Sequence, residues 1–219
     1  MAVTDGTNAG YVSSAPSSDP NGGGESAISG RSRATKFVAP ADMTITQMGV
    51  YVNVATEAAN MQLGIYSHNS GADEPDVRLA TSGDFAKGTD AGWKTAAVSY
   101  DLTNGTTYWL AVQIDTTATL TWIDNDATGG YRSVYSTIAT TALPADWTGY
   151  TSGSSNSLIL AIYALYESGA PAGAERSYIN IGDSFRLLSP LYINISDSWR
   201  PITSAFINIG DAWKVIKLT

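Results

Sequence analysis

The chain has 219 residues, of which 43% are hydrophobic and 15% charged, so it can form an apolar core and is not disordered throughout. Its 12 basic and 20 acidic residues give a net charge of −8, which argues against nucleic acid as a partner, and the absence of cysteine excludes disulfides and thiolate chemistry. No apolar run approaches the roughly 20 residues that span a bilayer, and the N-terminus lacks the basic and apolar regions of a secretory signal. The sequence therefore predicts neither membrane insertion nor secretion.

Residues 1–32 are dominated by glycine, serine, asparagine, proline and alanine, with a Pro/Ser/Gly-rich centre over residues 16–24. Such a stretch lacks the apolar side chains to pack a core of its own. The composition predicts an extended N-terminal arm. A sharper alternative is that Tyr11 and Val12 dock this arm onto a neighbouring subunit.

Residues 33–168 consist of short segments rich in β-branched and aromatic residues, each bounded by turn formers. None shows a sustained helical period. The segment 158–166 is almost continuously apolar, which favours a central strand over a helix. Strands are predicted at residues 34–39, 43–54, 61–67, 77–81, 94–101, 106–114, 118–123, 131–136 and 157–166. Strands at this spacing predict an antiparallel β-sandwich.

Several short motifs in this region carry a resemblance. Phe37-Val-Ala-Pro40, Leu63-Gly-Ile-Tyr-Ser67, Gly92-Trp-Lys-Thr95 and Gly105-Thr-Thr-Tyr-Trp-Leu-Ala111 follow one another along the chain. Their succession resembles jelly-roll modules of virion appendage proteins and of secreted modular proteins. The resemblance implies a jelly-roll-like sandwich that presents or binds other molecules.

The C-terminal segment, residues 178–219, contains an internal repeat that follows a linker at residues 169–177. Three gap-free units begin at Tyr178, Tyr192 and Phe206, 14 residues apart. Each reads as a strand, a two-residue Gly-Asp or Ser-Asp turn, and a second strand, so the repeat predicts three β-hairpins in series. Ser196 stands where the other two units have glycine.

Each repeat unit carries more apolar surface than one hairpin can bury. The side chains assigned to the assembly core are Tyr178, Ile179, Ile181, Phe185, Tyr192, Ile193, Ile195, Trp199, Phe206, Ile207, Ile209 and Trp213. An isolated hairpin is only marginally stable in water, so these side chains predict association, with a trimer favoured. A solvated meander packed on its own sandwich is the alternative.

The repeat also carries a resemblance. Its Tyr–Ile–x–Ile–Gly–x–x–Trp–Lys/Arg pattern resembles the short aromatic–Gly–Trp–Lys repeats at the ends of bacteriophage tail-fibre and other virion appendage proteins. The resemblance implies an attachment or trimerisation segment, with other virion proteins as further partners, and a location in the virion.

A second set of aromatic residues lies among aspartate, asparagine, threonine and glycine between residues 120 and 150. This composition is typical of loops that stack on and hydrogen-bond sugars. It predicts a glycan-contacting surface, although core packing or subunit contact would explain the same residues. The set comprises Trp122, Tyr131, Tyr135, Trp147 and Tyr150.

Residues with catalytic or metal-binding chemistry are sparse. The single histidine, His68, reads as an ordinary loop residue, and no motif selects a carboxylate pair for glycoside hydrolysis. Asp73-Glu74-Pro-Asp76 and Asp124-Asn-Asp126 offer hard oxygen ligands, so a structural Ca²⁺ is considered, but neither matches a calcium-loop spacing. Solvated turn acids are the simpler interpretation, and no cofactor is expected.

These observations together predict a non-enzymatic bacteriophage structural protein, such as a tail-fibre, head-fibre or capsid-decoration component. It would display a sandwich and assemble through its C-terminal repeats. The alternative hypothesis is a carbohydrate-binding module that recognises a receptor or belongs to a secreted glycan-binding protein.

Overall fold

The computed structural model describes residues 2–54, 56–118, 121–138 and 140–167, together with the backbone of six strands between residues 177 and 217. Residues 1–169 form one compact unit and residues 170–219 a second. The described residues contain strands and no helix, which confirms the predicted all-β class. No helix among them is therefore long and apolar enough to cross a membrane.

Fourteen strands of the first unit form two seven-stranded sheets that face each other. In chain order they are β1 (Gly10–Val12), β2 (Gly24–Ala27), β3 (Arg31–Val38), β4 (Met43–Val54), β5 (Asn60–Asn69), β6 (Glu74–Thr81), β7 (Phe85–Ala86), β8 (Gly92–Leu102), β9 (Thr107–Ile114), β10 (Trp122–Asp126), β11 (Ser133–Ser136), β12 (Gly153–Ser155), β13 (Ile159–Leu160) and β14 (Ile162–Glu167).

The chain passes repeatedly from one sheet to the other. The first sheet has the order β1-β14-β4-β10-β13, with β2 on β10 and β8 on β4. The second sheet has the order β12-β11-β3-β9-β5-β6, with β7 on β5. Such crossing between two mainly antiparallel sheets is characteristic of jelly-roll-like sandwiches. The apolar segment predicted as a central strand forms β13 and β14, and β14 lies between β1 and β4, which confirms strand over helix.

The main core fills the space between the sheets. Strand β4 contributes Met43 and Ile45 and then Met48, Val50 and Val52, so its buried positions change from odd to even numbers. A register shift against β14 accounts for this change, because Thr46 is an extra residue on β4 between Ile45 and Gln47, which pair with Tyr166 and Leu165, and a bulge reverses the faces of the residues that follow it. The bulge lets both halves of a 12-residue strand contribute these five apolar side chains to the core.

The N-terminal residues do not form a separate arm, contrary to the sequence-based prediction for residues 1–32. Strand β1 pairs in parallel with β14 of the same chain, and β2 pairs with β10. Tyr11 and Val12 are 5% and 1% exposed in this unit, so they are already covered without a neighbouring subunit. The segment needs no core of its own because its apolar residues pack into the core of the sandwich, whose other residues lie further along the chain.

The hydroxyl of Tyr11 has no hydrogen-bond partner among the described residues and is buried. Burial, with the nearby Tyr108 and Asp5, raises the pKa of Tyr11 well above its ordinary value. We expect Tyr11→Phe to leave the free energy of unfolding unchanged or to raise it by about 1 kcal/mol, because it removes an unpaired buried polar group.

Chemical denaturation of the chain ending at Glu167 measures this effect. Tyr11→Ala is the matched variant, and it should be clearly destabilising because the ring packs edge-on against Phe37 at a centroid distance of 6.2 Å. If the unmodified protein, Tyr11→Phe and Tyr11→Ala were equally stable, the N-terminal segment would not contribute to the stability of the sandwich, as expected of a separate arm.

Three two-stranded antiparallel hairpins follow in the second unit, as the sequence predicts. They pair β15 (Ser177–Ile181) with β16 (Ser184–Leu188), β17 (Tyr192–Ile195) with β18 (Ser198–Pro201), and β19 (Ser204–Ile209) with β20 (Ala212–Lys217).

Candidate functional site

The three hairpins share one register. In each, the isoleucine before the turn faces the first residue after it, as in the pair Ile181 and Ser184, so two residues connect the strands. The turn residues at 182–183, 196–197 and 210–211 lie outside the described residues. The asparagine of each unit pairs with the aromatic residue of the second strand: Asn180 with Phe185, Asn194 with Trp199, and Asn208 with Trp213.

This register distributes apolar residues over both faces of every hairpin. Successive residues of a strand face opposite sides of the sheet, and directly paired residues share a side. Tyr178, Asn180, Phe185 and Leu187 therefore occupy one face of the first hairpin. Ile179 and Ile181 occupy the opposite face with the residues that pair with them, Arg186 and Ser184. A hairpin of this kind has no fully polar face to turn to solvent.

The edges of the hairpins are also unpaired. Each forms its own two-stranded sheet, and no third strand joins any of them within the described residues. An open strand edge presents backbone N–H and C=O groups that can pair with another chain. The twelve residues predicted for assembly all lie on these six strands.

The five aromatic residues predicted to contact a glycan do not form one surface. Trp122 lies on β10 of the first sheet, whereas Tyr135 lies on β11 of the second, where the Arg33 guanidinium sits 5.2 Å from its ring centroid. Tyr131 packs on Phe37 and donates its hydroxyl to Asp5 Oδ2 at 2.9 Å. Burial and this hydrogen bond raise the pKa of Tyr131 to about 12. Tyr131 and Tyr135 therefore contact Phe37 and Arg33 rather than each other.

Trp147 is not a surface residue, and the prediction that it contacts a glycan is wrong. It is fully buried, its ring packs on Tyr66 at a centroid distance of 5.1 Å, and its Nε1 donates to Thr151 Oγ1 at 3.0 Å. It belongs to a second apolar cluster on the outer side of the second sheet, with Trp109 and Leu143. The other four residues remain a prediction.

This second cluster is covered by the segment between β11 and β12, residues 137–152. Its backbone lacks regular strand pairing but is held at many points. The Leu143 N–H donates to Gln62 Oε1 at 2.8 Å, and the Pro144 carbonyl accepts from the Tyr66 hydroxyl at 2.6 Å. Further on, the Trp147 N–H donates to the carbonyl of Asp76 at 2.9 Å. Long segments of this kind are usually functional when they are ordered.

The acidic residues considered as calcium ligands have other partners. Asp73 accepts from Lys36 Nζ at 2.6 Å and contacts Arg132 Nε at 3.1 Å. Burial alone would raise the pKa of the Asp73 carboxyl, but the hydrogen bond from Lys36 and the charges of Lys36, Arg132 and His68 outweigh it and lower that pKa. In the part of the chain that the structure describes, no three His, Asp or Glu side chains are arranged to hold a metal ion.

The Asp124 segment fixes the N-terminal residues instead. Asp124 Oδ2 accepts from the Gly22 N–H at 3.0 Å, and Asp126 Oδ1 accepts from the Gly23 N–H at 2.6 Å. Burial is the main cause that raises the pKa of Asp124, and the neighbouring Asp19 and Glu25 add to it. These acids, which the sequence offers as oxygen ligands, accept hydrogen bonds from backbone amides.

His68 also has a structural contact. Its Nδ1 accepts from Trp109 Nε1 at 3.2 Å, and its Nε2 lies 3.8 Å from Asp73 Oδ1. The imidazole is thus held at the outer side of the second sheet, next to the cluster that contains Trp109. This contact with the indole explains its position better than proton transfer to a substrate would.

The fold and the hairpins define a class of protein rather than a particular one: a β-sandwich followed by a series of β-hairpin repeats. Comparison with protein-family models, with curated proteins and with solved structures gave no match.

Proposed function

We propose that this chain is a structural, non-enzymatic virion protein of a bacteriophage, in which the sandwich is displayed and the C-terminal hairpins assemble the chains. A tail fibre, a head fibre and a capsid decoration are the settings that suit this design. The observation that carries the proposal is the register of the hairpins, which places apolar residues on both faces of each one.

Burial energetics support association. Fully burying one large apolar side chain is worth about 1.5–3 kcal/mol, whereas an isolated hairpin is marginal in water. Each unit brings two isoleucines and two aromatic residues. Several chains arranged around an axis would cover both faces and pair the open edges at once. Three copies, each giving three hairpins, is the arrangement we favour, with other virion proteins as further partners.

The sandwich is suited to display because it is complete without the hairpins. Its two sheets enclose a continuous core that includes Ile45, Leu63, Leu110 and Ile162, all fully buried. Residues 1–169 form a compact unit. Ending the chain at Glu167 retains every strand of both sheets, since β14 ends at that residue.

Light scattering of two proteins tests the proposal. The full chain should have about three times the 23.0 kDa mass of one polypeptide, and the chain ending at Glu167 should be a folded monomer. Replacing Ile181, Ile195 and Ile209 with serine keeps the length but removes one apolar position from each hairpin. This variant should shift the mass toward that of a monomer. A monomeric full chain, or the same oligomer with and without the hairpins, would contradict the proposal.

A further inference from the structure

A groove on the second sheet lies between the anchored segment 137–152 and the residues that follow β9. Its volume is about 700 Å³, within the range of clefts that hold small ligands. It is lined by Asp115, Thr116, Thr140, Thr141, Ala142, Leu143, Pro144 and Tyr150. Apart from Tyr150, none of these residues was singled out in the sequence.

The walls of the groove are fixed by a buried glutamine. Gln113 is fully buried, and its Nε2 donates to the Thr140 carbonyl at 2.6 Å and to Asp115 Oδ1 at 3.1 Å. One amide thereby holds residues on both sides of the groove. Because the segment is also anchored at its middle, where Leu143 and Pro144 hydrogen-bond to Gln62 and Tyr66, a ligand would meet a preformed surface and would not need to order a loop.

Polar groups at this site have unused hydrogen-bonding capacity. The hydroxyl of Thr140 and Oε1 of Gln113 are buried without a hydrogen-bond partner among the described residues. An unpaired buried polar group is costly, and most such groups have a partner in the functional state. A ligand hydroxyl reaching Thr140, or a water carried with it, would supply one.

The lining chemistry selects the class of ligand. Asp115 is the single charged residue of the lining, and no basic side chain is part of it, so an anion such as a phosphate or sulfate would meet only repulsion. A carboxylate and several threonine hydroxyls can exchange hydrogen bonds with vicinal hydroxyls. Leu143, Pro144 and the half-buried Tyr150 supply apolar surface for the C–H faces of a ring. This combination matches an uncharged saccharide.

We propose that the groove between Asp115–Thr116 and residues 140–150 binds a neutral oligosaccharide, with Tyr150 as the aromatic contact and Asp115 and Thr140 as the polar contacts. This inference does not rest on the assembly of the hairpins, because every residue involved belongs to the sandwich unit. It also differs from the dispersed set of five aromatics, of which it uses Tyr150 alone.

A glycan array with neutral, sialylated and sulfated oligosaccharides, probed with the full chain, is the first measurement. The neutral saccharide that binds is then titrated calorimetrically into three variants. Ala142→Trp fills the groove from an exposed position, and Tyr150→Ala removes the aromatic contact. Tyr100→Ala is the matched control, because this half-buried tyrosine lies on β8 of the first sheet, outside the groove lining and outside the predicted glycan-contacting set.

We expect Ala142→Trp and Tyr150→Ala to weaken binding at least about tenfold, which corresponds to about 1.4 kcal/mol, while Tyr100→Ala binds like the unmodified chain. Thermal unfolding of Ala142→Trp establishes that the variant is folded, since its substitution is at the surface. Absence of binding to any saccharide on the array, binding to charged saccharides only, or unchanged affinity in Ala142→Trp would each overturn the proposal.

Discussion

Replacing Trp147 with alanine should lower the free energy of unfolding of the sandwich by about 3–5 kcal/mol, the range typical of truncating a buried tryptophan. The side chain is fully buried and sits at the centre of the second apolar cluster with Trp109, Leu143 and the edge-on ring of Tyr66. Its loss would leave a cavity under the segment 137–152 and would also unpair the Thr151 hydroxyl that accepts from the indole.

Urea denaturation of the chain ending at Glu167 measures this loss, since that protein should unfold without an association step. Trp122→Ala is the control, because Trp122 is half-buried on β10 and should cost clearly less. If the two substitutions proved equally mild, Trp147 would not be part of a core, and an exposed role for it would have to be reconsidered.

The second large effect is expected at Gly49, where the absence of a side chain lets a tyrosine ring lie against the backbone. Tyr163 is the direct cross-strand neighbour of Gly49, and a Cβ at position 49 would lie 2.4 Å from Cε1 of its ring. Tyr163 is itself fully buried, and it packs against Trp93, so the ring cannot move away freely. Gly49→Val should therefore destabilise the sandwich by about 2–3 kcal/mol through overpacking.

Thermal or urea unfolding of Gly49→Val tests this expectation, with Gly129→Val as the matched control. A Cβ at Gly129 has no heavy atom within 4 Å, so the same substitution there should change stability little. The cost at position 49 should also fall when Tyr163 is replaced by alanine, because the clash is with its ring. If Gly49→Val destabilised the Tyr163→Ala variant just as much, the destabilisation would not come from a clash with the Tyr163 ring.

Most of the sandwich could be predicted because its long strands carry their own signal. The segments that form β4, β5, β8 and β9 are rich in β-branched and aromatic residues between turn formers, and they were expected within a few residues of where they lie. The bulge in β4 could not be predicted, because both halves of the strand alternate normally and only the pairing with β14 shows the extra residue between Ile45 and Gln47.

The N-terminal segment shows why composition alone was misleading there. Its strands are only three and four residues long and lie in a segment rich in glycine and serine, so the segment resembles a linker. Their stability comes from partners more than a hundred residues away, such as Asp124 and Asp126, which accept from Gly22 and Gly23. A single sequence does not record such long-range pairing.

The burial of individual aromatic residues could not be predicted from the sequence either. Trp147 and Tyr150 lie three residues apart in the same polar segment, yet one is fully buried and the other is half-buried at the groove. What separates them is the packing of the segment on Tyr66 and Trp109, which no local pattern predicts. The hairpins were the opposite case, since strict repetition of 14 residues predicted their two-residue connections and common register.

If the proposed assembly is correct, neighbouring chains protect the backbone amides of the hairpin strands between residues 177 and 217 from hydrogen exchange. Hydrogen exchange of the full chain, measured at high concentration and after dilution below the point of dissociation, tests it most directly. The account predicts slow exchange in the paired strands of the assembled protein and fast exchange once the chains separate, while β4 and β9 stay protected in both states. Protection of the hairpins that does not change on dilution to monomers, or fast exchange within the oligomer, would contradict it.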